Sequence, residues 1–218
     1  MINNYLYISK INILDNEEDY NKAYNSLSSF RKNKVDKYKF INDKKLAIIA
    51  ELLLKIGLKD LGIYDDVEYE FNKYNKPYLK NIDNLFFNYS HSKDFVICLL
   101  SSDEVGCDIE YIRDIDINSM SKFFNDSERT FINKSNNKLD SFYRFWTLKE
   151  SFMKAVGYGF NIDLKDFEII FNDNNVDIKE SINNNKYYFK EINIDNYKCS
   201  LCLLNDKDLI IKHIDHLH

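Results

Sequence analysis

One proline and five glycines in 218 residues leave this chain almost nothing with which to break regular structure. Proline removes a backbone donor and glycine supplies positive-φ turns. A chain so poor in both is expected to spend most of its length in helices and strands, without Pro-rich linkers. Hydrophobic residues make up 44% and aromatic residues 15%, enough for one large core or two small ones. The formal net charge of −5 argues against nucleic acid as the main partner.

The start, "MINNYLYISK", has neither the basic region nor the apolar core of a signal peptide. "FVICLL" at Phe95–Leu100 is far shorter than the roughly 20 residues a bilayer needs. The expectation is a soluble cytoplasmic protein with no membrane partner. In "YKCSLCLL" an offset of three sends the thiols of Cys199 and Cys202 to opposite faces of a strand. With only Cys98 and Cys107 elsewhere, no second C-x-x-C completes a four-ligand site, so buried, reduced cysteines are expected. Three histidines, His213, His216 and His218, fall in "HIDHLH", and chain ends are usually loosely held. His91 stands alone in the body of the chain.

Periodicity predicts a strand over Asn3–Leu14, a helix over Glu17–Ser29, and a second helix from Asp43 that Gly57 stops. A short strand at Val67–Phe71 and a turn at "NKPYL" precede a hairpin, "LFFNYSHS" with "DFVICLLSS". A strand "GCDIEYI" follows, then a helix interrupted by a turn in "SKFFNDSERTFI" and a polar loop at Asn133–Lys138. "DSFYRFWTLKESFMKAVGYGF" is the strongest helix, capped by Asp140 or Ser141 and ended by Gly157. Strands at Phe167–Phe171, Tyr187–Ile194 and Tyr197–Leu204 complete an α+β pattern with two lobes, split near residue 105 by strand count.

Asp108 and Glu110 lie two apart in a strand, so both carboxylates emerge on one face. They are either solvent-facing acids of an edge strand or acids that hold something positive. Trp146, Glu150 and Lys154 share one helix face, with Lys149 beside them; Glu150 and Lys154 also fit an ordinary i,i+4 pair worth about 0.2–0.5 kcal/mol. Arg31, Lys32, Lys34, Lys37, Lys39, Lys44 and Lys45 form a basic stretch that suits either a solvated face or a phosphorylated ligand.

The order of the pieces narrows these alternatives. The basic segment, "NKPY", "NYSHS", "GCDIE" and "FWTLKESFMKAVGYG" together resemble the 4′-phosphopantetheinyl transferases, specifically the longer Sfp type that activates peptide and polyketide synthetases. The family's G-[IVC]-D-[IVL]-E strand is intact at Gly106–Glu110, and its W-x-x-K-E-[SA]-x-x-K helix is intact at Trp146–Lys154. Its K-P and S-H-S elements match at Lys76–Pro77 and Ser90–Ser92. The likeness runs from about Arg31 to Phe171, most of the chain.

The resemblance implies two similar lobes, 1–105 and 106–218, each a small antiparallel sheet packed with helices, with the active site in the cleft of a monomer. It implies that Asp108, Glu110 and Glu150 converge on one Mg²⁺, with Mn²⁺ as a possible substitute since both accept oxygen ligands. Coenzyme A is then the substrate, and its phosphopantetheine moves to a serine of an apo acyl or peptidyl carrier protein, releasing 3′,5′-ADP. Glu150 is expected to take the serine proton, directly or through a water, and Lys154 and Lys149 to ligate phosphate. Arg31, Lys34 and His91 are expected at the 3′-phosphate, with Ser90 adding contacts and Lys76 near adenine and ribose.

Leu46 and Ala47 stand where the family carries an arginine-threonine pair, which implies weaker coenzyme A binding unless Lys44 or Lys45 compensates. Carrier docking is expected around Met120–Phe124. The rival readings are a relative that binds coenzyme A without transferring anything and a Mg²⁺-dependent phosphohydrolase.

Overall fold

The computed structural model describes residues 3–172, 175–183 and 185–216, with Phe160 described by its backbone alone. Strand β1 (Asn4–Lys10) ends in a 3₁₀ turn at Ile11–Leu14 instead of running on as expected. Ile11 and Leu14 are both buried, which the three-residue period of that turn permits and strand alternation forbids. The helix expected over 17–29 is two helices, α1 (Glu17–Asn25) and α2 (Ser29–Val35). Glu51 fixes the break between them, accepting hydrogen bonds from the Ser28 backbone N–H (2.6 Å) and hydroxyl (2.7 Å).

Helix α3 (Ile41–Asp60) carries Glu51 and passes straight through Gly57, which sequence reading assigned as its stop. A Cβ on Gly57 would come within 3.0 Å of the Leu100 and Tyr7 side chains, so this glycine serves close packing on the sheet. Two short strands, β2 (Tyr69–Phe71) and β3 (Pro77–Leu79), lead to the expected hairpin of β4 (Phe86–Ser92) and β5 (Phe95–Ser101). Strand β6 (Val105–Tyr111) opens the second lobe.

Helices α4 (Ile117–Met120), α5 (Asp126–Lys134) and α6 (Lys138–Val156) follow. Asn137 caps α6 by accepting from the Asp140 N–H, a few residues before the expected caps, and Gly157 ends the helix at φ 72°. The chain closes with β7 (Glu168–Phe171), β8 (Val176–Lys179), β9 (Tyr188–Ile194), β10 (Tyr197–Leu203) and β11 (Leu209–Ile214). Sequence reading missed α2, α4, β8 and β11.

The fold is α+β with two lobes, built on the sheets β11-β1-β5-β4 and β6-β10-β9. Strand alternation divides the side chains between layers. Tyr7, Val96, Cys98 and Leu100 face α3 in the first core, while Leu6, Ile8, Ile97 and Leu99 face the other sheet. There they meet Val105, Cys107, Ile109, Cys199, Leu201 and Leu203. Cys202 points the opposite way from Cys199, into the core with Phe152 of α6, and all four thiols are free and buried. Strand β11 returns to the first lobe and pairs in parallel with β1, from Asn4 with Leu209 to Ser9 with Ile214. The segment expected to close the second lobe therefore completes the first lobe's sheet.

Phe124, expected at a docking surface, is a core residue: it is fully buried and stacks on Phe142 at 5.4 Å, close to Trp146. Its neighbour Phe123 is the exposed one, at 56%. Phe124→Ala is expected to cost about 3–5 kcal/mol, visible as an early thermal melt, and an unchanged melt would contradict this placement. No helix among the described residues is long and apolar enough to cross a membrane.

Candidate active site

Gly106 lets β6 lie against α6. A Cβ there would stand 2.0 Å from the Ser151 carbonyl oxygen and 2.3 Å from the Ala155 nitrogen. This approach brings the alternate side chains Asp108 and Glu110 under the face of α6 that carries Glu150 and Lys154. Lys154 Nζ lies 2.6 Å from Asp108 Oδ1 and donates to Ser90 Oγ at 3.1 Å. Burial opposes the Lys154 charge, but Asp108 outweighs it and holds the ammonium above its usual range.

Glu150 titrates above the ordinary carboxylate range because burial and then the Asp108 charge disfavour its anion. The same two causes raise Glu110, against a lowering hydrogen bond from Ser92. Three acids thus share one nearby ammonium. Asp108 Oδ2 is buried and has no hydrogen-bond partner. Among the described residues no three His, Cys, Asp or Glu side chains stand close enough to hold a metal ion as they are, so the expected convergence of the acids is not formed. The donor set still suits a hard divalent cation: all-oxygen ligands, excess negative charge and one orphaned carboxylate oxygen.

The first lobe reaches this site through β4. Ser90 Oγ donates to Asp108 Oδ1 (2.9 Å), and Ser92 Oγ donates to Glu110 Oε2 (2.8 Å). Asn88 Oδ1 accepts the Cys107 N–H at 3.0 Å. Sequence reading put Ser90 beside the 3′-phosphate, whereas its hydroxyl lies on Asp108, and it missed Asn88 and Ser92, although "NYSHS" carries the signal: three polar side chains at period two. His91, the intervening residue, projects from the other face and is exposed. Partial desolvation of its ring, whose edge stays open to solvent, then the charges of Lys154 and Lys34, push its pKa down.

Three expected phosphate or nucleotide contacts lie elsewhere. Lys149 is fully buried and pairs with Glu128 at 2.8 Å, while donating to the Leu164 and Phe167 carbonyls. Position 149 turns away from the face of Glu150 because one residue on a helix is a rotation of about 100°. Lys76 is buried between the lobes, where its ammonium meets Glu104 and donates to the carbonyls of Val105 and Ala155. Its ammonium satisfies the end of α6, while the side chain also lines the cavity beside Glu150. Arg31 is 1% exposed, donates to Tyr89 Oη at 2.9 Å, and lies over the Tyr89 and Tyr69 rings.

Leu46 and Ala47 pack in the first core, and Lys45 pairs with Asp15 at 2.6 Å, so Lys45 cannot supply the missing charge from where it stands. His213 lies on β11 and His216 just beyond it, both exposed; His218 lies outside the described residues.

A cavity of about 220 Å³ opens beside Glu150 and Lys154 and extends to Tyr74, Lys76 and Pro77, with Asn88 and Gly157 in its wall. Asn72 donates to the Gly157 carbonyl at 2.9 Å, behind this wall residue. A larger hollow of about 690 Å³, lined by residues such as Lys10, Asp94 and Tyr197, holds none of the site acids.

Residues 104–202 match the 4′-phosphopantetheinyl transferase superfamily, and residues 15–103 match the family described as 4′-phosphopantetheinyl transferase, N-terminal. The chain belongs to the 4′-phosphopantetheinyl transferase superfamily. Two curated members extend the match. The 4′-phosphopantetheinyl transferase gsp of Aneurinibacillus migulanus is 30% identical over 190 residues, 85% of this chain and 79% of that one. The 4′-phosphopantetheinyl transferase Sfp of Bacillus subtilis (strain 168) is 26% identical over 192 residues, 85% and 86% of the two chains. Among solved structures, the Thermotoga maritima holo-[acyl-carrier-protein] synthase aligns with a TM-score of 0.42 at 18% identity, over 48% of this chain and 64% of that one. In this superfamily member both matches abut at residues 103–104, where β5 gives way to β6.

Proposed function

We propose that this protein transfers the 4′-phosphopantetheine of coenzyme A to a serine of an apo acyl or peptidyl carrier protein, releasing 3′,5′-ADP. The observation that carries this reading is the interlobe site itself: Asp108, Glu110 and Glu150 around Lys154, with one carboxylate oxygen left unpartnered, beside a cavity. The serine oxygen forms a bond to the β-phosphorus, the bond from that phosphorus to the bridging oxygen breaks, and 3′,5′-ADP carries the oxygen away. Glu150, which lines the cavity, takes the serine proton directly or through a water. A divalent cation, magnesium or manganese, held by Asp108, Glu110 and Glu150 would neutralise charge on the pyrophosphate when bound.

Lys154 is the nearest cation for a phosphate oxygen, and it exchanges its Asp108 partner for that contact. Lys34 and His91, exposed at the rim, receive the 3′-phosphate. With Arg31 withdrawn into the core and Ala47 lacking a hydroxyl, the nucleotide end is held by fewer groups, so coenzyme A binds more weakly than in a fully matching enzyme. The reading takes the protein as a monomer with its lobes dividing near residue 105, serving nonribosomal peptide or polyketide carriers.

Intact mass spectrometry of an apo carrier protein, incubated with this protein, coenzyme A and Mg²⁺, tests the reading. A gain of one phosphopantetheine is expected, and its loss with Asp108→Ala or EDTA. Phosphate released without any carrier would point instead to a hydrolase. Coenzyme A bound with no transfer to carriers of several pathway types would point to a binding-only relative. Exposed Phe123 is the docking candidate on the second lobe. Phe123→Ala is expected to raise the carrier KM about tenfold with the coenzyme A KM unchanged, the range of a loss near 1.4 kcal/mol at an interface.

A further inference from the structure

The two lobes are joined at the active site by a seam that no backbone hydrogen bond makes. Strand β6 is an edge of its sheet, and the N–H groups of Cys107, Ile109 and Tyr111 point outward from that edge. Strand β4 of the other lobe runs alongside, and side-chain oxygens take the place of backbone carbonyls. Asn88 Oδ1 accepts from Cys107 (3.0 Å), Ser90 Oγ from Ile109 (3.4 Å) and Ser92 Oγ from Tyr111 (3.1 Å), each at the same separation of 19 residues. Two parallel strands are thus zipped at period two by side chains.

A hydroxyl has one proton and two lone pairs. Ser90 uses all three, accepting from Ile109 and Lys154 and donating to Asp108. Ser92 accepts from Tyr111, which orients its proton toward Glu110 Oε2. Glu110 is half-buried and makes no other side-chain hydrogen bond among the described residues.

We propose that Ser92 is a positioning residue of the cation site: its hydroxyl, fixed by the seam, holds the Glu110 carboxylate in the orientation that binds the metal, so that the first lobe sets the metal affinity of acids carried by the second. This rests on the reading that Asp108 and Glu110 bind a divalent cation. Ser92 touches neither the metal nor the reacting atoms; it acts through Glu110, as outer partners of metal ligands do.

The test is Mn²⁺ binding followed by the EPR signal of the free ion, with coenzyme A present and carrier protein absent. Wild-type protein is expected to bind and Asp108→Asn to lose binding. Ser92→Ala is expected to weaken Mn²⁺ about tenfold or more, the usual effect of removing a ligand's outer partner. Ser92→Thr, which keeps the hydroxyl, should stay within about threefold of wild type, a rescue that a role in packing alone would not give. In a Glu110→Ala background, adding Ser92→Ala should change nothing further, because the partner it orients is gone. Ser92→Cys, retaining shape with a weaker donor, should fall between and carries the comparison if the alanine variant does not fold.

Undiminished Mn²⁺ affinity in Ser92→Ala, or in Ser92→Cys, would overturn the inference alone. So would Ser92→Thr losing as much as Ser92→Ala, or an equal further loss in the Glu110→Ala background. A wild-type protein that binds no Mn²⁺ would overturn the cation reading and this inference together.

Discussion

Gly106→Ala is expected to lower the melting temperature by roughly 6–12 °C and the transfer rate about a hundredfold. The added methyl meets backbone atoms of α6 at 2.0 and 2.3 Å, and a helix backbone cannot rotate aside as a side chain can. The strand and helix must separate, which puts the stability cost at about 3 kcal/mol, the upper end for overpacking, and each kcal/mol moves the melt of a chain this size by about 2–4 °C. The same separation carries Glu150 and Lys154 away from Asp108, and a displacement of about 1 Å in a catalytic constellation can remove a hundredfold in rate. Thermal denaturation and single-turnover transfer on the same preparation check both. A variant melting within 2 °C of wild type and fully active would show that β6 and α6 do not touch as described.

Lys149→Met should be as damaging to stability while leaving the chemistry alone. Lys149 and Glu128 are both fully buried, and burial pushes the ammonium below and the carboxyl above their usual ranges while each draws the other back toward its charged form. Removing the lysine strands the carboxylate, a change that costs about 3–5 kcal/mol. Glu128 also accepts from the backbone N–H groups of Asn125 and Ile169, one on each oxygen, so Glu128→Gln, which removes the charge but keeps only one of the two acceptors, should restore part of the loss. Among molecules that remain folded, the coenzyme A KM should stay within about twofold, since Lys149 faces Leu164 and Phe167 and not the cleft. An intact melt with a tenfold higher coenzyme A KM would return Lys149 to the phosphate.

Much of the fold was legible because its elements carry strong local signals. The α6 helix, the β4–β5 hairpin and the β6 strand each have clear period and punctuation, and each lies where periodicity puts it. What sequence reading missed depends on distant partners. Ser28 carries a local cap signal, its hydroxyl accepting from the Arg31 N–H at 3.2 Å, but the break is completed by a distant partner: Glu51, 23 residues on, binds its N–H and hydroxyl. Nothing in "GLKD" distinguishes a glycine that ends a helix from one that lets it lie against Tyr7 and Leu100.

The site divides the same way. Strand and helix periods put Asp108 with Glu110 and Glu150 with Lys154 on shared faces, and it took the family resemblance to expect the two pairs at one site. Which lysine faces a ligand is not settled by spacing. Lys76 and Lys149 are motif residues whose ammonium groups are bound by protein acceptors, and only the positions of Glu104, Ala155 and Glu128 reveal it.

Strand β11 lies beside β1 although some 200 residues separate them in the chain, and Asn4 reinforces the pairing through Asn205 and the Lys207 carbonyl. During synthesis β1 emerges first and its partner among the last of these residues. Until 209–214 are made, the outer edge of β1 presents unpaired backbone groups, the kind of edge that recruits strands from other chains. The first lobe therefore cannot mature on the ribosome ahead of the second. Its sheet is closed only once the strands of the second lobe have been translated, which ties a finished first lobe to a finished second lobe in every molecule.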